Sequence, residues 1–307
     1  MPYALSMASP AASPSAASKV TLAISGFHRH GASALRRMLL DWFAFIGERP
    51  GEVVYIDGGS PAVTTRRLVA MLHEGLIDRL ELLNPVHWEN SYDRCYIQEY
   101  RAGRLATRPY VMFAKLDMLT FRRGYSDWLA EDLRALDRDG VFAITNSHLV
   151  EPASGRDGPY LTYDFASLNY SLMKRARWDE AVQEQMGELI ASGFRGEYPA
   201  HIDVDPRWRR ALVEWAWQAH CRRHGYRTLA RAESRDWMIY HVNKSGRKLL
   251  WLRRRFLAGD GVEAFFDQPK MLYRPPHRPL QRLGRSIEEV ARRIRGGITG
   301  SASATKH

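Results

Sequence analysis

The chain has 307 residues, enough for one large domain or two modest ones, and 45% of them are hydrophobic, enough for a sizeable core. No apolar run approaches the roughly 18–20 residues of a membrane span, and two cysteines without CxxC spacing exclude a disulfide framework. The expectation is two reduced thiols in a cytosolic protein, and the net charge of +11 points to an anionic partner: nucleic acid, membrane surface or phosphorylated ligand.

The first stretch, "MPYALSMASPAASPSAAS", is rich in Ala, Ser and Pro and lacks a basic and then apolar leader pattern, so residues 1–18 read as a disordered leader. "VTLAIS" from Val20 is short and apolar, as a buried strand is. "GASALRRMLLDWFAFIGE" places Leu35, Met38, Leu39, Trp42, Phe43 and Ile46 at helical spacing. "EVVYIDGGS" is a second strand stopped by two glycines, "PAVTTRRLVAMLHEGLI" a helix, and "RLELLN" a third strand. "ENSYDRCYIQEYRAG" reads as helix, and "YVMFAKLDM" as a fourth strand that runs into Asp117. "SDWLAEDLRALDRDG" is a helix with Ser126 as cap and Gly140 as stop, followed by the strand "VFAITNS".

Strands alternating with helices of roughly 10–15 residues predict an α/β fold with a mostly parallel, Rossmann-type sheet flanked by helices. Ligands on such sheets bind at the carboxyl ends of the strands. Here those ends carry "SGFHRHG", "DGGS", "KLDM" and "TNSH".

Beyond residue 150 the pattern loosens. "SGRDG" reads as a loop, and "LTYDFASLNYSLMKRARWDEA" as a strand-like run passing into a helix. "DPRWRRALVEWAWQAHCRRHG" is a helix with Pro206 in its first turn and Gly225 as its stop. "TLARAESRDWMIYHV" returns to the sheet. After the break "RPPHRP", Leu280, Leu283, Ile287, Val290 and Ile294 form the apolar stripe of a basic amphipathic helix.

In order and spacing these motifs resemble a family 2 glycosyltransferase of the GT-A fold, over roughly Lys19 to Gly246. "ISGFHRHG" offers Phe27 where that family more often has Tyr beside the nucleotide base, followed by His28 and Arg29. "VYIDGGS" matches a V-D-D-G-S pattern at Asp57 and Ser60, with Gly58 in place of the second acid. "KLDML" matches the D-x-D metal motif at Asp117, with Leu119 in the second position. Glu214 matches the acid of an E-D pair whose Asp is here Trp215, and Gly225, Tyr226 and Arg227 match the turn that ends that helix. "WMIYHVNKSGRK" is similar to the late strand whose His joins the diphosphate site, which singles out His241 and Ser245.

The resemblance implies an inverting transfer of a sugar from a nucleotide-diphosphate donor, UDP among the candidate carriers, to the hydroxyl of an envelope or secondary-metabolite acceptor. It implies a donor site of Ser25, Phe27, Arg29, Asp57, Ser60, Lys115 and Asp117, and a Mn or Mg ion held by Asp117 and His241. Glu214 is the implied base, with Asp205 and Asp203 as competitors just before its helix. It further implies a nucleotide-sugar-binding half over 19–150, an acceptor half over 151–250 and a basic extension over 251–307.

The chemistry agrees with the residue types. A departing diphosphate carries about two negative charges that grow as the glycosidic bond breaks, so a cation must face it. Hard oxygen ligands suit Mg or Mn; Lys115, Arg29 or a later Arg could serve without metal. A base must stand near the acceptor hydroxyl, opposite the leaving group. Each residue also has a plainer reading. Asp57 can shape a turn, Asp117 can cap a strand end, Glu214 can be a solvated helix residue, Phe27 can be ordinary core, and His241 can be a bonded core histidine. The Trp residues of "VEWAWQ" either fill the core or line an acceptor groove.

Seven Arg between Arg274 and Arg295 face only Glu288 and Glu289. This final helix can dock on the domain, pair two subunits, or lie on an anionic membrane from the cytoplasmic side. The opposing class of function is a binding protein: a catalytically silent relative, favoured by Gly58, Leu119 and Trp215, or a nucleic-acid binder, favoured by charge. No stripe of aromatics interleaved with Arg supports nucleic acid.

Overall fold

The computed structural model describes residues 14–28, 32–84, 95–146, 153–202, 211–232, 234–242 and 244–257. The stripe from Leu280 to Ile294, the "RPPHRP" break, Arg29, His30, Asp203 and Asp205 lie outside them.

The apolar runs become strands because β-branched and aromatic residues alternate between two covered faces. β1 (Val20–Gly26), β2 (Glu52–Asp57), β3 (Arg79–Leu82) and β4 (Tyr110–Ala114) lie parallel in the order β3-β2-β1-β4. The predicted fourth strand is shorter than "YVMFAKLDM": after Ala114 the chain turns, and β5 (Met118–Arg122) leaves the main sheet. β6 (Val141–Thr145) follows, and then β7 (Gly155–Asp157), inside the stretch "SGRDG" that reads as a loop, forms a hairpin with β8 (Tyr160–Tyr163), which opens the run that reads as strand-like. β9 (Tyr170–Lys174) inserts antiparallel between β4 and β6, and β10 (Arg227–Arg231) adds parallel to β6. The full order of the nine-stranded sheet is β3-β2-β1-β4-β9-β6-β10-β8-β7, with β8 and β9 running against the others. This is a mixed α/β architecture with a mostly parallel sheet. β11 (Trp237–His241) does not return to that sheet; it pairs antiparallel with β5 in a separate ribbon.

Helices cover the sheet. α1 (Ala32–Ile46) buries Leu35, Met38, Leu39, Trp42, Phe45 and Ile46. Phe45, three residues after Trp42, falls on the stripe, whereas the predicted Phe43 lies at its edge, half-buried, with the Arg49 guanidinium 6.0 Å from its ring. α2 (Ala62–His73) and α3 (Cys95–Leu105) follow their strands. α4 (Trp128–Leu136) starts one residue later than a Ser126 cap implies, because Tyr125 takes a left-handed φ of 52°. α5 (Arg175–Ala191) and α6 (Leu212–His224) pack on each other, and Gly225 ends α6 at φ 66°. α7 (Gly246–Leu257) lies against α1, where Arg253 pairs with Asp41.

One core layer joins Ala23, Val54, Ile56, Val111 and Phe113 of the strands to α3, α5 and α6. There Gly103 of α3 rests on the indole of Trp178, and an added Cβ would lie 2.3 Å from that ring. Trp178 is 1% exposed and has no room to yield. Gly103→Ala is therefore expected to cost about 1–3 kcal/mol by overpacking. The check is a lower urea midpoint at unchanged denaturant slope.

Candidate functional site

The carboxyl ends of β1, β2 and β4 meet. The first two are tied together by their loops. The His28 backbone N–H donates to Ser60 Oγ at 2.8 Å, the Gly58 N–H donates to the Gly26 carbonyl at 2.9 Å, and Thr64 Oγ1 donates to the His28 carbonyl at 3.1 Å.

Asp57 is the last residue of β2 and 1% exposed. Its Oδ2 accepts the N–H groups of Gly59 (3.2 Å) and Ser60 (2.7 Å), so this oxygen builds the "DGGS" turn. Its Oδ1 is buried with no hydrogen-bond partner among the described residues. A buried carboxylate oxygen without a donor is costly, and a ligand N–H or O–H would satisfy it.

His28 stands between the acids. Its Nε2 lies 2.9 Å from the Tyr55 hydroxyl. Burial pulls its imidazole below the ordinary value, against the opposing charges of Asp117 and Asp57. Burial, with Asp57 beside it, raises the Tyr55 phenol well above its usual range. Gly26 makes this contact fit, since a Cβ there would lie 2.8 Å from His28 Nε2 and 2.9 Å from the Tyr55 oxygen. Neither Gly26 nor Tyr55 was an expected site residue; the only signal was a glycine just before an aromatic–histidine pair.

Asp117 follows the β4 end. The turn Lys115–Met118 is closed by the Met118 N–H on the Lys115 carbonyl at 3.3 Å. Asp117 Oδ2 lies 3.1 Å from His241 Nε2, although 124 residues separate the two. The β5–β11 ladder brings them together by pairing Met118 with His241. Burial would raise the Asp117 carboxyl, but the His241 hydrogen bond and the charges of His241, Lys115 and His28 hold it below its ordinary value. His241 Nδ1 is buried and has no partner among the described residues.

Lys115 turns toward a second group of acids. Its Nζ lies 3.5 Å from Glu99 Oε1, on a side chain of α3 that is 6% exposed. Burial works against the Lys115 ammonium, yet Glu99, Glu214, Asp117 and Cys95 together raise its pKa. Lys115 thus pairs with Glu99 within the field of Glu214 and Asp117. Glu214, in the first turn of α6, accepts the Leu168 N–H at 2.5 Å and the Ser167 hydroxyl at 3.1 Å, both on Oε1. Glu99 was missed because one acid on a helix carries no spacing signal.

The remaining expected residues fall near or outside this edge. Ser25 and Phe27 are half-buried at the end of β1, and Ser245 lies just before α7. Tyr226 sits away from the edge, its hydroxyl accepting from Arg177. Trp217 is core at 0% exposure, while Trp215 is half-buried with its ring 6.1 Å from Phe165. Arg29 and Asp205 lie outside the described residues.

Asp117 and His241 offer one carboxylate oxygen and one imidazole nitrogen to a divalent ion. Among the described residues no third His, Cys, Asp or Glu brings a ligand atom to them. Leu119, in the second motif position, is 1% exposed and pairs with Tyr240 in the ribbon, so that position faces core. One carboxylate and one imidazole fit an ion whose other ligands come from a diphosphate and water. They do not make a cage held by protein alone.

Half-buried His28 and fully buried His220 are expected to give stability a pH response. His28 here, and His220 of α6, both have pKa values lowered by burial below the ordinary 6.5. Just below that value the unfolded chain binds protons that the folded chain refuses, so stability falls as pH drops through the window. The stability difference between wild type and His28→Gln, read from urea midpoints, is expected to shift against wild type from about pH 7.5 to about pH 5.5, a comparison in which the opposite titration of other buried groups cancels.

No family profile and no curated protein matches the chain in sequence. Solved structures that resemble it include the following two. One is the mannosyltransferase PcManGT from Pyrobaculum calidifontis in complex with GDP-Man and Mn2+, at 17% identity and a TM-score of 0.41, aligned over 82% of this chain. The alignment spans 65% of that protein's length. The other is S. aureus TarS 1–349, at 11% identity and a TM-score of 0.40, aligned over 80% of this chain and 68% of that one. No membrane-spanning length of apolar helix is present among the described residues.

Proposed function

We propose that the protein is a glycosyltransferase that takes a nucleotide-diphosphate sugar at the β1–β2–β4 edge and passes the sugar, with inversion, to an acceptor hydroxyl. One observation carries this reading: Asp117 and His241 meet at 3.1 Å on the rim where Asp57 and His28 also converge. A sheet edge of this kind is where α/β folds bind nucleotides.

In this reading the base and ribose lie toward Phe27 and Asp57, whose unsatisfied Oδ1 accepts a donor from the ligand. His28, kept neutral by burial, donates or accepts without adding charge. Asp117 and His241 would hold a Mn or Mg ion, which when bound supplies positive charge against the departing diphosphate. Lys115 stays protonated beside three carboxylates and offers the second cation at that edge. Glu214, held by the Leu168 N–H and the Ser167 hydroxyl, serves in this reading as the base for the acceptor proton. The basic composition suits an anionic donor, and an anionic membrane face as the site of work.

A second reading has its own support. Leu119 in the core and Gly58 in place of an acid fit a protein that binds the donor without turning it over. The same experiment separates the two. The protein is incubated with UDP-, GDP- and TDP-sugars and a panel of acceptor alcohols, with and without Mn, while melting temperature and free nucleoside diphosphate are followed. A donor at about 100 times its Kd stabilises by about 2.7 kcal/mol. Stabilisation with diphosphate release supports the transferase. Stabilisation without release, for any acceptor alcohol, supports the silent binder. No effect of any nucleotide overturns both.

A further inference from the structure

We propose that Glu184, His220 and His224 form a second, separate site for one zinc-class divalent ion, which clamps α5 to α6. His220 and His224 are four residues apart on α6 and share one face. Glu184 reaches them from α5. One ligand atom from each comes within 4.8 Å of the other two. Both imidazoles address the same oxygen: His220 Nδ1 lies 2.5 Å and His224 Nε2 2.9 Å from Glu184 Oε2.

Two imidazole nitrogens and a carboxylate oxygen are the ligand set that zinc prefers over calcium or magnesium. An ion of that class takes the place of the hydrogens now shared with Oε2. Each imidazole then keeps its proton on the other ring nitrogen. For His220 that nitrogen is Nε2, which is buried without a partner among the described residues in either state, so binding adds no new unsatisfied atom. Zn–N bonds of about 2.0–2.1 Å place tetrahedral neighbours roughly 3.3 Å apart. Glu184 must therefore back away by less than about an ångström, and the two imidazole nitrogens, which lie within 4.8 Å of each other, must settle at the same spacing through small side-chain rotations. Three protein ligands leave the fourth position to water.

The surroundings support and also oppose the ion. The Tyr226 ring lies over His224, with centroids 5.6 Å apart and planes 21° apart, and fixes its orientation. Arg223 Nη1 holds Glu184 Oε1 at 2.9 Å, leaving Oε2 as the single ligand atom. Its charge, however, repels a cation. Glu184 and His224 are partly exposed, with side chains at 22% and 36%, so an ion enters from solvent.

The test uses the full chain carrying Asp117→Ala, which removes the sheet-edge ligand, stripped with chelator and titrated with zinc chloride by calorimetry and thermal melting. One zinc ion per chain is expected, with a rise in melting temperature. His224→Ala and Glu184→Gln should each weaken binding roughly 10- to 100-fold or more, and Arg223→Ala should tighten it. No zinc bound at one per chain, or equal affinity with His224→Ala, overturns the proposal. Because the background lacks Asp117, either result leaves the transferase reading untouched.

Discussion

Asp117→Ala is expected to lower kcat/KM for sugar transfer by at least about 100- to 1,000-fold, the scale for losing one group that faces developing charge. The loss should fall mainly on kcat. Charge on the diphosphate grows toward the transition state, so the missing group is felt most there. Asp117→Asn keeps a hydrogen-bond partner for His241 Nε2 at 3.1 Å but removes the charge. It should lose activity similarly while melting close to wild type. His241→Ala should follow the same pattern and weaken the response to Mn. Steady-state kinetics on the three variants decides the matter. Near-wild-type turnover in Asp117→Ala would place the reacting diphosphate elsewhere.

Arg231→Ala is expected to be the most destabilising single change, by about 3–5 kcal/mol, the usual cost of stripping one partner from a buried pair. Asp132 is 0% exposed and Arg231 6%. Arg231 Nη2 donates to Asp132 Oδ1 at 2.5 Å and to the Tyr160 hydroxyl at 3.2 Å, and Tyr160 in turn donates to the same carboxylate at 2.7 Å. Its guanidinium also lies 5.3 Å from the Trp237 ring, so one side chain joins α4, β8, β10 and β11.

Burial pushes the Asp132 carboxyl up to about 6, with Arg231 and Tyr160 pulling the other way. Without Arg231 the value rises further. A raised carboxyl costs stability as pH rises above its unfolded value and regains it as pH falls. The deficit of Arg231→Ala, read from urea midpoints, should therefore be smaller at about pH 5 than at about pH 8. Arg231→Met with Asp132→Leu should recover much of the loss, since apolar replacement of a buried pair is often neutral. A single variant that melts like wild type would show that this network contributes nothing net.

The sequence carried the local facts of this protein. Alternation in "EVVYID" and the three-and-four spacing of α1 depend on neighbours within a turn or a strand, so they are readable residue by residue. Asp57 before two glycines, Asp117 at a strand end and Gly225 at a helix stop are legible for the same reason. Small misreadings, Phe43 for Phe45 and a loop for β7, arose where the edge of a helical stripe or a three-residue strand decided the outcome.

Tertiary structure decided which of those residues meet. Asp117 reaches His241 only because β5 and β11 leave the main sheet and pair in one particular register. A slip of one residue would turn His241 to the other face. Arg231 finds Asp132 across 99 residues and His220 finds Glu184 across 36, through the packing of helices on a mixed sheet. Such contacts depend on strand order and crossing geometry, which no local period encodes.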